Sequence, residues 1–406
     1  MKIVDRHQAS EQMLGYLYQV RYALILLLKA ENERYQISIE KYDDVAFSDD
    51  EDPKLMIQLK HHIGKQGSLS DASTDLWRTL KVWIDACGSN GRLLNDTDFL
   101  LVTTAISPEG SATAFLKRDN RDVDSAYNLL KQVATTSSNQ AHGDYYSSFI
   151  SLGEDGAKKL LRKIYVVDGA SNIVDASNEL HKAVRYACIP KFEQQICDRI
   201  EGWWYRQAIT ALCSEDPVYI SQQQLRSVIV TISQQYADDN LPIDEIDSRD
   251  PNNENNYTEE AVFRKQLEWI GIGTHGMRSA SRDYYKAFSH RSSWIRNEVL
   301  FLRELEEYES RLIDEWEHQF GFMEDTVSSL GESISEDKKA EEGRLLYRNI
   351  GDKDIKIRPR VDAPFVMRGS YHILSDQKRI GWHIDFKEKL DGLTTSQEAS
   401  DDETME

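Results

Sequence analysis

The chain has 406 residues, of which 40% are hydrophobic and 10% aromatic, enough apolar material for more than one core and too much for a disordered chain. It sets 49 Lys and Arg against 69 Asp and Glu, a formal charge of −20, which excludes a uniformly basic nucleic-acid platform. Any contact with phosphate must be local, built by several copies, or screened by a metal ion.

No run of about 18 apolar residues occurs and no signal-peptide pattern opens the chain, so a cytoplasmic protein without a membrane span is expected. Cys87, Cys188, Cys197 and Cys213 are scattered without a CxxC pair and read as free, buried thiols.

In chain order, residues 9–32 place Met13, Leu14, Leu17, Tyr18, Leu24, Ile25 and Leu28 at helical spacing. The apolar run from Ala23 to Leu28 is too short for a bilayer and reads as a buried helix end. Residues 35–40, 45–47 and 55–60 read as strands. Ser70 or Ser73 can cap the next helix, whose inner face is Leu76, Leu80, Trp83 and Cys87, with Asp71 and Asp75 near its positive end. Residues 99–104 form a continuous apolar strand. Helix, three strands, helix, strand predicts an α/β sheet with mixed pairing.

Farther on, 164–168 reads as a strand, and 172–213 as helix interrupted at Pro190. The polar segment around 238–258 reads as a linker or long loop. Helix returns over about 260–323, including an amphipathic stretch over 291–320. Residues 368–386 suggest a small β-rich cap, and 391–406 an acidic, disordered tail. The expected division is 1–170, 171–390 and the tail.

The stretch "ISIEKYDDVAFSDDEDPKLMIQLKHH" carries the chemistry. Alternation puts Leu55, Ile57 and Leu59 on one strand face and Met56, Gln58 and Lys60 on the other. Asp43 and Asp44 fall in the preceding turn. If the hairpin closes, Asp44, Gln58 and Lys60 converge. Hard divalent cations take such carboxylate and amide oxygens, and a neighbouring lysine can hold water and screen phosphate. Asp44 is then the main metal ligand, Gln58 a neutral second ligand, Lys60 the catalytic lysine, and Glu40 a further ligand or base. Glu11, Gly15 and Gln19 share a helix face; Gly15 suggests close approach to the sheet, and Gln19 a hydrogen bond at the site edge.

"GYLYQ", "SIEKYDDVAF", "IQLKHH" and "LSDASTDLWRTLKVW", in that order, resemble the PD-(D/E)xK nucleases. More narrowly they resemble the endonuclease domain shared by CBASS nuclease effectors and by Lamassu, the ABC-three-component defence systems. "IEGWWYRQAITAL", "DNLPID" and "GSYHILSDQKRIGWH" look like the C-terminal region of ABC-three-component proteins. The resemblance implies a restriction-endonuclease-like N-terminal domain followed by a mainly helical region for oligomerisation and docking. It implies Mg²⁺, or Mn²⁺, as cofactor and double-stranded DNA as substrate. It also implies an SMC/ABC-type ATPase subunit and a small accessory subunit as partners, with release and self-association to a dimer or tetramer as activation. Gln58 stands where an acidic residue is commoner, which leaves the role of Glu40 open.

Several residues have plainer readings. Gln58 and Lys60 alone would suit a solvated edge strand. The acids 49–52 suit a hairpin tip. His61 and His62 have no partner at zinc spacing and suit a structural or DNA-facing role. Trp203 and Trp204 suit a core or interface anchor, and Trp382 and His383 suit packing. The alternative function is a non-catalytic adaptor whose nuclease-like domain is degenerate; an RNA-directed nuclease is a third.

Overall fold

The computed structural model describes residues 6–32, 34–49, 52–62, 67–119, 121–244, 261–331 and 334–393. The chain divides into two compact units, Met1–Ser233 and Gln234–Glu406. Most of the expected 238–258 loop and most of the acidic tail lie outside the described residues, as do positions 50 and 51 of the hairpin tip.

The first unit opens with α1 (Arg6–Lys29), β1 (Gln36–Ile39), β2 (Val45–Asp49), β3 (Asp52–Lys60), α2 (Thr74–Ser89), α3 (Leu93–Asp96) and β4 (Asp98–Thr103). It continues with α4 (Ala112–Phe115), α5 (Val123–Thr136), α6 (Gly143–Ser151), α7 (Gly153–Lys163), β5 (Ile164–Val167), α8 (Ile173–Val184), α9 (Glu193–Cys213), β6 (Ile220–Ser221) and α10 (Gln222–Gln235). The strands form one sheet of order β5-β4-β3-β2-β1-β6. β1, β2 and β3 pair antiparallel as a meander, while β3, β4 and β5 run parallel. The mixed α/β sheet expected from the order of elements is therefore present.

Both faces of the sheet are covered, so β3 does not alternate cleanly: Met56, Ile57, Gln58 and Leu59 are all buried. On one face, Ala46, Met56, Phe99 and Leu101 pack against Leu76, Trp77, Leu80 and Trp83 of α2. Burial of each such large side chain contributes about 1.5–3 kcal/mol. α1 and α9 pack beside β1, and the Trp204 indole donates to the Val20 carbonyl at 2.6 Å, anchoring α9 on α1. The run from Ala23 to Leu27 is a largely buried helix end, as expected. Because β6 pairs with β1 and α8 packs on α1, this unit extends well past residue 170. Cys213 is exposed rather than buried, since it ends α9 on the solvent side.

The second unit contains α11 (Val262–Trp269), α12 (Thr274–Arg296), α13 (Leu302–Ser329), α14 (Glu336–Gly351) and α15 (Pro364–Asp376). The helix expected over 291–320 is two helices. α12 ends in a turn where Glu298 takes φ 56° and Val299 donates to the Trp294 carbonyl at 2.8 Å. The β-rich cap expected over 368–386 is also wrong. Pro364 opens α15 at its first turn. Val366, Met367 and 369–375 are all buried, so the helical period is hidden inside a continuous buried run. α15 packs closely on α12; a Cβ on Gly369 would collide with the Asp283 carbonyl, so only glycine fits that crossing. Trp382 and His383 are buried, in keeping with packing. No helix among the described residues is long and apolar enough to cross a membrane.

Candidate functional site

The site forms where the β1–β2 turn folds back over the end of β3. Val45 pairs with Ile57, which sets Asp44 beside Gln58. Glu40 closes the turn, donating its N–H to the Asp44 carbonyl at 3.1 Å. To do so it adopts φ 56°, a left-handed conformation that costs a non-glycine residue about 1–2 kcal/mol.

Asp43 is 7% exposed and its carboxylate is fully engaged. Oδ2 accepts from Trp83 Nε1 at 2.6 Å, while Oδ1 accepts from the Asp44 amide at 3.0 Å and from Gln58 Nε2. Burial pushes its carboxyl up to about 6, against the opposing effect of the Trp83 and Gln58 hydrogen bonds. Its oxygens are spent on holding the turn, which makes it a positioning residue.

Asp44 is half-buried. Its Oδ2 accepts from the Leu59 amide at 2.7 Å and its Oδ1 from Gln58 Nε2 at 3.1 Å. Gln19 of α1 adds another hydrogen bond to the Asp44 carboxylate. Burial raises the Asp44 carboxyl, with the Lys60 charge the largest opposing influence. Glu40 is likewise raised, first by desolvation and then by Asp44 and Asp43.

Lys60 ends β3. Its ammonium makes no hydrogen bond or ion pair among the described residues, although Asp44, Glu40 and Asp75 all feel its charge. Just beyond, His62 Nε2 meets Asp75 Oδ2 at 2.9 Å, and that hydrogen bond raises the His62 pKa. This places an imidazole at the first turn of α2, where Asp75 also feels the Lys60 charge.

Asp43, Asp44, Gln58, Lys60 and Gln19 are thus brought together, with Glu40 at the rim. Gly15 is not part of a close approach: a Cβ there would meet nothing within 4 Å. The Glu11 side chain lies outside the described residues. Sequence reasoning missed Trp83 as a hydrogen-bond donor, because an apolar helical stripe does not reveal where an indole N–H points. It also missed the His62–Asp75 pair, whose members stand 13 positions apart in the sequence on either side of the start of α2.

A divalent cation would find hard oxygens in Asp44, Glu40 and the Gln58 side-chain carbonyl, which suits Mg²⁺ or Mn²⁺. Gln58 now turns its NH₂ toward both aspartates, so ligation requires its amide to rotate. Among the described residues, Glu336, His383 and Asp385 are the His, Cys, Asp and Glu set whose ligand atoms lie within 4.8 Å of one another; Glu40, Asp43 and Asp44 as they stand are not such a set. That second group is an ion-pair network: Lys339 bonds Asp385 at 2.8 Å and Glu336 at 3.2 Å, and Lys389 bonds Glu336 at 3.2 Å.

The two units therefore define a sheet domain with an acid–amide–lysine cluster, followed by a helical domain. Residues 263–390 of the latter match the family model for C-terminal domain 7 of the ABC-three component (ABC-3C) systems. The match supports membership of an ABC-3C defence system, a multi-subunit assembly with an ABC-type ATPase component. No curated protein and no solved structure matches the chain.

Proposed function

We propose that the first unit is a metal-dependent DNA endonuclease of PD-(D/E)xK type, the effector of an ABC-3C complex of the Lamassu kind. In this reading an SMC/ABC-type ATPase and a small accessory subunit restrain it, and release with self-association activates it. The observation that carries the reading is an unpaired lysine at the end of a central strand, beside an aspartate held by a backbone amide and a glutamine.

In phosphodiester hydrolysis, water attacks phosphorus, the P–O bond to the leaving oxygen breaks, and that oxygen takes up a proton. A bound Mg²⁺ supplies charge neutralisation and a more acidic water. Lys60 orients the attacking water and stabilises charge building on the phosphate. Asp44 and, with its amide rotated, Gln58 would hold the metal, Glu40 would add an oxygen from the rim, and Asp43 keeps the turn in place. His62, whose pKa its hydrogen bond with Asp75 raises, offers a cation to the DNA backbone when protonated.

The test is incubation of the full chain with linear, circular and single-stranded DNA plus Mg²⁺, beside Lys60→Ala and Asp44→Ala. Each substitution is expected to lower cleavage by at least about 10²-fold; Lys60→Ala leaves the melting curve in place, whereas Asp44→Ala also lowers it, because the Leu59 amide and the Gln58 NH₂ lose their acceptor. Undiminished cutting by both variants would sink the assignment. The adaptor reading is favoured by the sequestered Asp43, whose oxygens are taken by Trp83, Gln58 and the Asp44 amide. It gains if Mg²⁺ and Mn²⁺ produce neither cleavage of any DNA form nor thermal stabilisation.

A further inference from the structure

A cleft of about 330 Å³ opens in the second unit between α12, α14, α15 and the segment after α15. Its size lies within the range of small-molecule sites, about 300–1,000 Å³. Nothing in the nuclease reading uses it, and it lies wholly inside the matched C-terminal domain.

The lining is aromatic and incompletely satisfied. Tyr347 meets Trp382 edge-on, ring centroids 5.1 Å apart, and lies 5.9 Å from the His372 ring. Trp382 Nε1 and His372 Nδ1 are buried and have no hydrogen-bond partner. An orphaned buried polar group is destabilising, so the indole N–H in this wall calls for an acceptor from a ligand. Asp283, half-buried in the same wall, makes no hydrogen bond or ion pair among the described residues. Its backbone is fixed, because its carbonyl abuts Gly369 at the α12–α15 crossing. The cleft also carries two guanidiniums. Arg348 is exposed and unpaired, and Arg368 donates Nε to the Gly351 carbonyl at 3.3 Å, leaving its other N–H groups for a ligand.

This is an ordered set of demands. The aromatic wall wants a flat ring. The carboxylate wants a pair of N–H donors, the indole N–H wants an acceptor, and the guanidiniums want an anion. We propose that the cleft binds a guanine nucleotide. The guanine edge offers ring N–H and exocyclic NH₂ to Asp283, its O6 and N7 are acceptors for the Trp382 N–H, and the phosphate lies toward Arg348 and Arg368. Adenine lacks the ring N–H of that donor pair.

The experiment is isothermal titration calorimetry on the full chain with GMP, AMP and guanosine, with quenching of tryptophan fluorescence as a second readout. GMP binds saturably, and AMP binds at least about tenfold more weakly. Asp283→Asn lowers GMP affinity by about tenfold or more, with an unchanged melting curve showing that the fold is intact. Arg348→Ala reduces the advantage of GMP over guanosine. Absence of saturable GMP binding at about 1 mM, equal affinity for AMP, or GMP binding indifferent to Asp283→Asn overturns the proposal.

Discussion

Replacing Trp83 by Phe isolates the contact that holds the catalytic turn. The substitution keeps an aromatic ring in the α2 core but deletes the Nε1–H that Asp43 Oδ2 accepts at 2.6 Å. A hydrogen bond to a charged acceptor contributes about 1.5–3 kcal/mol, and the smaller ring adds a modest cavity cost, so the expected loss is about 2–4 kcal/mol. The loss depends on pH, because the Asp43 carboxyl sits at about 6. Well above that value the acceptor is an anion; below it the bond is neutral and worth about 0.5–1.5 kcal/mol. Urea unfolding followed by circular dichroism should therefore show a larger penalty near pH 8 than near pH 5, about the two sides of that titration. Combining Trp83→Phe with Asp43→Asn in a double-mutant cycle should reveal a coupling of about 1 kcal/mol or more. A penalty that is the same at both pH values, with additive single effects, refutes the reasoning.

Two glycines should respond in opposite directions to alanine. Gly369→Ala drives a methyl into the Asp283 carbonyl and should cost about 1–3 kcal/mol or more, whereas Gly15→Ala enters open space in a helix and should gain about 0.5–1 kcal/mol; thermal melting of both variants checks this. His372 is fully buried and its imidazole is pushed down to about 3 from 6.5 by desolvation. The unfolded chain then binds the proton first, so stability from this group is complete above about pH 6.5 and is lost as pH falls toward about 3, roughly 2 kcal/mol of it by about pH 5. His372→Gln should flatten that part of the urea-midpoint profile.

The order of strands in the first unit was legible because β1, β2 and β3 alternate or are bounded by turn residues, and because β4 is a bare apolar run between helical stretches. Asp44, Gln58 and Lys60 were legible for the same reason: strand period two fixes which side chains share a face. What could not be read was anything decided by partners distant in sequence. Ile220–Ser221 is too short to announce a strand, and becomes one only by pairing with Gln36 and Ile37. α15 carries no polar face for a helical period to stand against, since its neighbours bury it nearly all round. Gly15 was given a role that its surroundings do not support, because a glycine in a sequence signals permissiveness without saying what fills the space.

Gln58 ties these observations to the chemistry. Asp43 and Asp44 lie side by side in the turn, and burial penalises both anions. The Gln58 NH₂ donates to each of them, so a neutral side chain holds two carboxylates together. A glutamate there would remove both donors and add a third negative charge. Each lost hydrogen bond to a charged acceptor is worth about 1.5–3 kcal/mol, so Gln58→Glu should lose at least about 3 kcal/mol in EDTA. The same substitution strengthens the site for a divalent ion. Mg²⁺ at about 100 times its Kd would return about 2.7 kcal/mol. Melting curves should therefore show a larger Mg²⁺-induced rise for Gln58→Glu than for the parent, and Lys60→Ala should not abolish that rise because Lys60 is not a ligand. A variant as stable as the parent in EDTA would mean that the amide is not what reconciles the two aspartates. A parent and a variant both indifferent to Mg²⁺ and Mn²⁺ would remove the metal from this site and leave the first unit to the adaptor reading.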